Sequence, residues 1–203
     1  PARVEVGRGA GVEVSIQTIA VLGAGLMGRG IAYVSALGGY RTILQDTSDA
    51  QLEKAVNEIG AILEKGVATG KVKEEDAVAA RKHLSTANSL EDAAKHADLV
   101  IEAVPERMDL KVEIFAALDR LAPKHAILAS NTSSLSITEM AAATTRAPQV
   151  VGLHFFNPVH RMRLLEIVRA LETSDATLAA CEAVGERMGK ECVTVRESPG
   201  FVT

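Results

Sequence analysis

The chain has 203 residues, of which 47% are hydrophobic and 24% charged, and a formal net charge of −4. That length holds one full domain and at most part of another, with a core of ordinary size. The acidic balance speaks against a nucleic-acid or anionic-membrane surface, and no apolar run approaches the length of a membrane helix.

Residues 1–15 read as an arm outside the domain. They have no hydrophobic signal region, and Glu5 and Glu13 argue against a transit peptide. Val4-Glu5-Val6 and Val12-Glu13-Val14 could pair as a small hairpin, which is marginal in water on its own. The domain is expected over 16–203. It begins with an apolar strand, the turn Gly23-Ala24-Gly25-Leu26-Met27-Gly28, a helical run and a second strand closed by Gln45-Asp46. Gly23 permits the tight turn and Gly25 lets the backbone approach a pyrophosphate. Gly28 lets the helix lie close on the strand, so that N–H groups at its start, around Leu26 and Met27, face the phosphates. Asp46 then takes the ribose hydroxyls, and its distance in sequence from Gly23 matches the roughly 20 residues expected of this unit. A carboxylate there repels a 2′-phosphate, and no arginine follows it, so NAD is expected over NADP. The turn alone does not separate a nicotinamide from a flavin dinucleotide.

Residues 48–82 show no strand pattern and read as two helices, a hairpin insertion. Ser48 caps the first with Gln51 three residues on, and Gly70 breaks it from the second. Strand-like runs recur at 83–86, 99–104, 126–130, 150–154, 164–168 and 192–195, with helices at 109–121 and 175–188. This alternation predicts an α/β, Rossmann-type doubly wound sheet, mainly parallel, with 150–168 as an antiparallel extension. Cys181 and Cys192 lack a Cys-x-x-Cys spacing and read as buried, reduced thiols of a cytoplasmic protein; no metal site is expected.

Ligands of such sheets lie at the carboxyl ends of the strands, and three polar clusters fall there. They are Ala103-Val104-Pro105-Glu106, Ser130-Asn131-Thr132-Ser133-Ser134 and His154-Phe155-Phe156-Asn157-Pro158. The second also suits a turn that caps a helix starting near Ser136, and a lone histidine is commonly structural. Glu166 shifts that balance. It sits in the apolar run Leu164-Leu165-Glu166-Ile167-Val168, where an unpaired carboxylate is costly to bury. Two short strands could bring it to His154 as an oriented acid/base pair. His83, His96, His125 and His160 read as surface or structural groups.

The glycine turn, Glu102-Ala103-Val104-Pro105-Glu106, the Ser130–Ser134 and His154–Pro158 segments and Ser198-Pro199-Gly200-Phe201-Val202 resemble, in order and spacing, the NAD-binding domain of L-3-hydroxyacyl-CoA dehydrogenases. The resemblance covers 16–203 and implies reversible oxidation of a 3-hydroxyacyl-CoA, of short chain in the 3-hydroxybutyryl-CoA members, in fatty-acid or butanoate metabolism. It implies His154 as the catalytic acid/base, Glu166 as its orienting partner and Ser133 on the substrate oxygen. Asn131 is a weaker substrate contact, and Glu106 and Lys111 serve the nicotinamide half of NAD. Lys65, Lys71 and Lys73 are charge-based candidates for the CoA phosphates in the helical insertion. Members of the family continue with a further asparagine and a helical domain that dimerises and closes over substrate. The chain ends at Thr203, so the expectation is an N-terminal domain of a longer homodimeric enzyme, feebly active alone. Two other readings stay open. One is a relative acting on a sugar acid or on longer acyl chains. The other is a non-catalytic NAD-sensing module, against which the His154 and Glu166 pair argues.

Overall fold

A computed structural model describes residues 15–198. The expected arm and its hairpin, apart from Ser15, and residues 199–203 of the closing motif lie outside the described residues. The chain starts with β1 (Thr18–Leu22), α1 (Leu26–Leu37) and β2 (Arg41–Gln45). The insertion follows as α2 (Asp49–Ala68) and α3 (Glu74–His83), leading into β3 (Leu84–Ala87). Next come α4 (Leu90–Ala94), β4 (Leu99–Glu102), α5 (Met108–Leu121), β5 (Ile127–Ser130) and α6 (Ile137–Ala142). A 3₁₀ turn at Ala147–Gln149 leads to β6 (Val150–Phe155), β7 (Leu164–Arg169), α7 (Asp175–Arg187) and β8 (Glu191–Arg196).

These strands form one sheet in the order β3-β2-β1-β4-β5-β6-β7-β8. All neighbours run parallel except β6 and β7, so the antiparallel extension is where the sequence pattern puts it. The order reverses between β1 and β4, and at such a switch point the following loops part and open a crevice. Helices cover both faces, which is why central strands such as Thr18–Leu22 are buried along their whole length. Alternate residues split between two cores. Ile19, Val21, Leu99 and Ile101 pack with Ile31 of α1, Leu63 of α2 and Val184 of α7. Ala20, Leu22, Val100 and Leu128 pack with Phe115 and Leu118 of α5.

Ser48 caps α2 as expected, its hydroxyl accepting from Gln51 N–H at 3.3 Å. This helix buries Leu52, Ala55, Ile59 and Leu63, a single stripe at helical spacing, with Ile62 and Val67 partly buried beside it. Among the described residues, no helix is long and apolar enough to cross a membrane.

Four details differ from the sequence pattern. The strand expected over 99–104 ends at Glu102, because Val104 N–H turns away from the sheet to donate to the Glu102 carboxylate at 2.7 Å. The run expected at 83–86 starts one residue later, His83 being the last residue of α3. The short α4 went unseen; five residues carry too little periodicity, although Ser89 accepting from Asp92 N–H at 3.0 Å is a capping signal. Cys181 is buried, but Cys192 is only half-buried, because β8 is the edge strand and one of its faces is open.

Candidate active site

The carboxyl ends of β4, β5 and β6 meet the start of α1 around a cavity of about 380 Å³. It is lined by Met27, Ala103, Val104, Glu106, Lys111, Asn131, Ser133, His154, Phe155, Phe156 and Asn157. A second cavity of about 490 Å³ shares Val104 and lies over Gly23, Asp46 and Thr47. Between them runs the glycine turn. Gly23 has φ +91°, and a Cβ there would lie 2.7 Å from the Ala103 carbonyl oxygen, so only glycine lets the two crossing loops approach. A Cβ on Gly28 would lie 1.7 Å from the Gly23 oxygen, which fixes α1 against the end of β1. At Gly25 a Cβ would meet nothing within 4 Å. Gly25 is also the N-cap of α1 and supplies no side-chain cap, so the N–H groups of the first turn are open to an acceptor.

Asp46 follows β2. Its Oδ2 accepts from Ala24 N–H at 2.9 Å and its Oδ1 from Ser48 N–H at 3.0 Å. The carboxylate therefore braces the turn and keeps further lone pairs for sugar hydroxyls. Arg41 is at the opposite end of the strand, roughly 16 Å away at the usual rise per residue. This combination of open helix start, bare Gly25 face and acidic group fits a dinucleotide with an unphosphorylated 2′-hydroxyl.

The acid/base pair comes from the antiparallel strands. In the register of β6 and β7, His154 faces Glu166, and Nδ1 lies 2.7 Å from Glu166 Oε2. A carboxylate only accepts, so Nδ1 carries the hydrogen and proton exchange falls to Nε2. Glu166 is 2% and His154 9% exposed. The Phe156 ring packs 4.3 Å from the imidazole, centroid to centroid, and limits its rotation.

The other expected residues surround this pair with divided duties. Ser133 lines the cavity, and its N–H donates to Glu106 Oε1 at 3.2 Å. Asn131 Oδ1 accepts from Phe155 N–H at 2.9 Å, which fixes the side chain at the cavity wall with its amide Nδ2 as a donor for a ligand. The Thr132 hydroxyl turns the chain, accepting from Leu135 N–H at 2.9 Å and donating to Glu106. Ser136, not the earlier hydroxyls, caps α6. Burial alone would raise the Glu106 pKa. The Thr132 hydroxyl, the Lys111 charge and the Ser133 N–H outweigh it and hold the carboxyl below the usual range.

Lys111 is placed differently from a free cation reaching for a ligand. It is 1% exposed and donates to both oxygens of Glu102, at 2.7 and 2.8 Å, with Glu106 at 3.2 Å. Glu102 was missed as a site residue. The signal that singled out Glu166, a carboxylate in an apolar strand, was present in Leu99-Val100-Ile101-Glu102 as well. Of the three lysines considered for phosphate, Lys73 lies beside Glu75. Lys65 and Lys71 instead act on His160 together with Arg161 and Lys190; burial first, then these four charges, push its pKa down.

A dinucleotide-binding α/β domain with a histidine–carboxylate pair at its strand ends is thus defined by geometry. Residues 18–198 match the family model of the 3-hydroxyacyl-CoA dehydrogenase, NAD binding domain. Over 190 residues the chain is 43% identical to a probable 3-hydroxybutyryl-CoA dehydrogenase of Bacillus subtilis, covering 94% of itself and 66% of that protein. It is 40% identical to the mitochondrial hydroxyacyl-coenzyme A dehydrogenase of Sus scrofa, covering 94% of itself and 62% of that enzyme. The crystal structure of (S)-3-hydroxybutyryl-CoA dehydrogenase from Ralstonia eutropha is similar with a TM-score of 0.89 at 44% identity, over 93% of this chain and 66% of the other. The chain belongs to the 3-hydroxyacyl-CoA dehydrogenase family, as its NAD binding domain, and spans about two thirds of these relatives' length or less.

Proposed function

We propose that the protein carrying this chain interconverts an (S)-3-hydroxyacyl-CoA and its 3-ketoacyl-CoA with NAD, and that its substrate is of short chain, 3-hydroxybutyryl-CoA. The observation that carries the reading is the His154–Glu166 pair, 2.7 Å apart and opening on a cavity beside the dinucleotide turn. The bacterial relatives named for 3-hydroxybutyryl-CoA support the chain length.

When bound, NAD supplies the hydride acceptor at the carbon that bears the hydroxyl. His154 Nε2 takes the hydroxyl proton, and in the reverse direction returns it. Glu166 holds the ring by Nδ1 and stabilises the imidazolium formed in that step. Ser133 offers its hydroxyl to the substrate oxygen as charge changes there, with the Asn131 amide as a second donor. Gly23, Gly25, Leu26, Met27 and Gly28 seat the pyrophosphate, Asp46 takes the adenosine ribose, and Glu106 with Lys111 borders the nicotinamide. Lys65 and Lys71, whose charges act on His160 in the β6–β7 loop together with that of Arg161, suit the CoA phosphates. A homodimer is part of the same reading. So is a cytoplasmic setting, which suits two unpaired cysteines.

The test is addition of acetoacetyl-CoA and NADH to the full-length protein, followed at the absorbance band of reduced nicotinamide. Oxidation of NADH with a C4 substrate faster than with C16 supports the proposal. NADH binding without turnover of any acyl-CoA would overturn it in favour of an NAD-sensing module.

A further inference from the structure

Glu102 ends β4 with its side chain 0% exposed and accepts four hydrogen bonds. Lys111 Nζ donates to both oxygens, Ser130 Oγ donates at 2.6 Å and Val104 N–H at 2.7 Å. Lys111 has one N–H left, and Glu106 Oε2 lies 3.2 Å from its Nζ. Glu106 is the outer carboxylate, 41% exposed at its side chain, and its other partners, Thr132 O–H and Ser133 N–H, are neutral. Two carboxylates thus share one ammonium. The inner one has nearly complete hydrogen bonding and the outer one borders the cavity.

We infer that Glu102 acts as a positioning residue that cancels the charge of Lys111, so that Glu106 presents an uncompensated negative charge to the cavity and favours oxidised over reduced nicotinamide. The inference rests on the reading above that the nicotinamide occupies this cavity. An oxidised ring is cationic and a reduced ring is neutral, while the rest of the dinucleotide is the same in both. Contacts with adenosine and pyrophosphate therefore cancel in the ratio of the two dissociation constants, and charge beside the ring does not. Without Glu102, Lys111 and Glu106 would form a neutral pair, and the preference for the cationic ring would drop. One charge a few ångströms from the ring, at an effective dielectric of about 20, suffices for a change of about tenfold.

The measurement is the Kd of NAD⁺ and of NADH, by calorimetry, for the wild type, Glu102→Gln, Glu106→Gln and the double variant Glu102→Gln/Lys111→Met. The two single variants take the cluster from a net charge of −1 to 0, and the ratio Kd(NAD⁺)/Kd(NADH) is expected to rise about tenfold in each. In the double variant Glu106 alone restores −1, and the ratio is expected back within about twofold of wild type. A merely structural role would weaken both cofactors together and would not be rescued by removing a second buried group. If Glu102→Gln does not fold, Glu106→Gln, altered at a half-exposed position, decides with the double variant. A wild type that binds both cofactors, with single-variant ratios unchanged or a double variant as shifted as the singles, overturns the inference alone. A wild type that binds neither overturns the functional reading together with it.

Discussion

Two glutamates sit in apolar strands, Glu102 at the end of β4 and Glu166 within β7, and their partners differ. Glu102 faces the Lys111 ammonium and two further donors, the Ser130 hydroxyl and Val104 N–H. Glu166 faces an imidazole, which is neutral or charged according to where one proton sits. Burying a carboxylate requires compensation in both cases. With lysine the compensation is fixed, and the pair locks the β4 and β5 ends to α5. With histidine it varies, and the pair can take part in a proton transfer at the cavity. The same elementary cost yields a strut in one place and a proposed acid/base in the other.

The contrast breaks most visibly at His154. His154→Gln keeps a donor for Glu166, so folding and NADH binding are expected to persist while kcat falls by ~10²–10⁴ in the full-length protein. Full kcat across pH would make His154 structural and erase the distinction. At the other pair the expected loss is in stability. Lys111→Met leaves Glu102 charged and without its cation, which costs about 3–5 kcal/mol. Urea unfolding should show the double variant Glu102→Gln/Lys111→Met to be less damaged than the single one. A single variant as stable as the double would mean that Glu102 does not depend on its countercharge.

A smaller effect is expected at Asp46, which is neither strut nor acid/base. Its carboxylate braces Ala24 and Ser48 while keeping capacity for a ribose. Asp46→Ala should weaken NAD binding by about tenfold, the value of a hydrogen bond to a charged group. NADP, relieved of repulsion, should lose less. Calorimetric titration of both cofactors decides, and an unchanged NAD to NADP preference would remove Asp46 from the cofactor site.

Much of this was legible in the chain. The glycine turn, Asp46 and the strand–helix alternation are local patterns with a direct physical meaning, and the β6–β7 pairing followed from two short apolar runs around Asn157-Pro158. The Glu166 argument worked because its partner was a histidine on the adjoining strand. The identical argument at Glu102 needed to know that Lys111, on the second turn of a helix, points inward under the sheet end, and helical periodicity does not reveal that for a lysine. The bracing role of Asn131 was hidden for a similar reason. Its Oδ1 is taken by Phe155 N–H, on a strand distant in sequence, and long-range hydrogen bonds of that kind leave no local trace. The edge position of β8, which opens Cys192, depends on strand order rather than on the strand's own residues.

Lys190 sharpens the comparison by supplying the missing combination, a buried cation without a carboxylate. Its Nζ donates to the carbonyl oxygens of Val159 and, at 2.8 Å, of Met162, in the loop that follows His154 and Phe156. Burial pushes its pKa down to about 8, whereas Lys111 lies between two carboxylates. Below pH 8 both folded and unfolded chains hold the Lys190 proton, and the folded state bears the cost of a buried charge. Between about 8 and the ordinary 10.5 the folded chain has lost a proton that the unfolded chain still binds, so this group's contribution to stability improves as pH rises. The thiols work in the opposite direction. Burial holds Cys181 at about 12 and Cys192 at about 11, so the unfolded chain ionises first and stability falls as pH rises above about 9. Because both thiols remain in Lys190→Met, the difference in Tm between wild type and variant isolates the lysine. That difference is expected to move in favour of the wild type between pH 7 and pH 10. A constant difference would mean that the two carbonyls compensate the charge as fully as Glu102 and Glu106 do for Lys111, and that a carboxylate is not what a buried lysine requires in this fold.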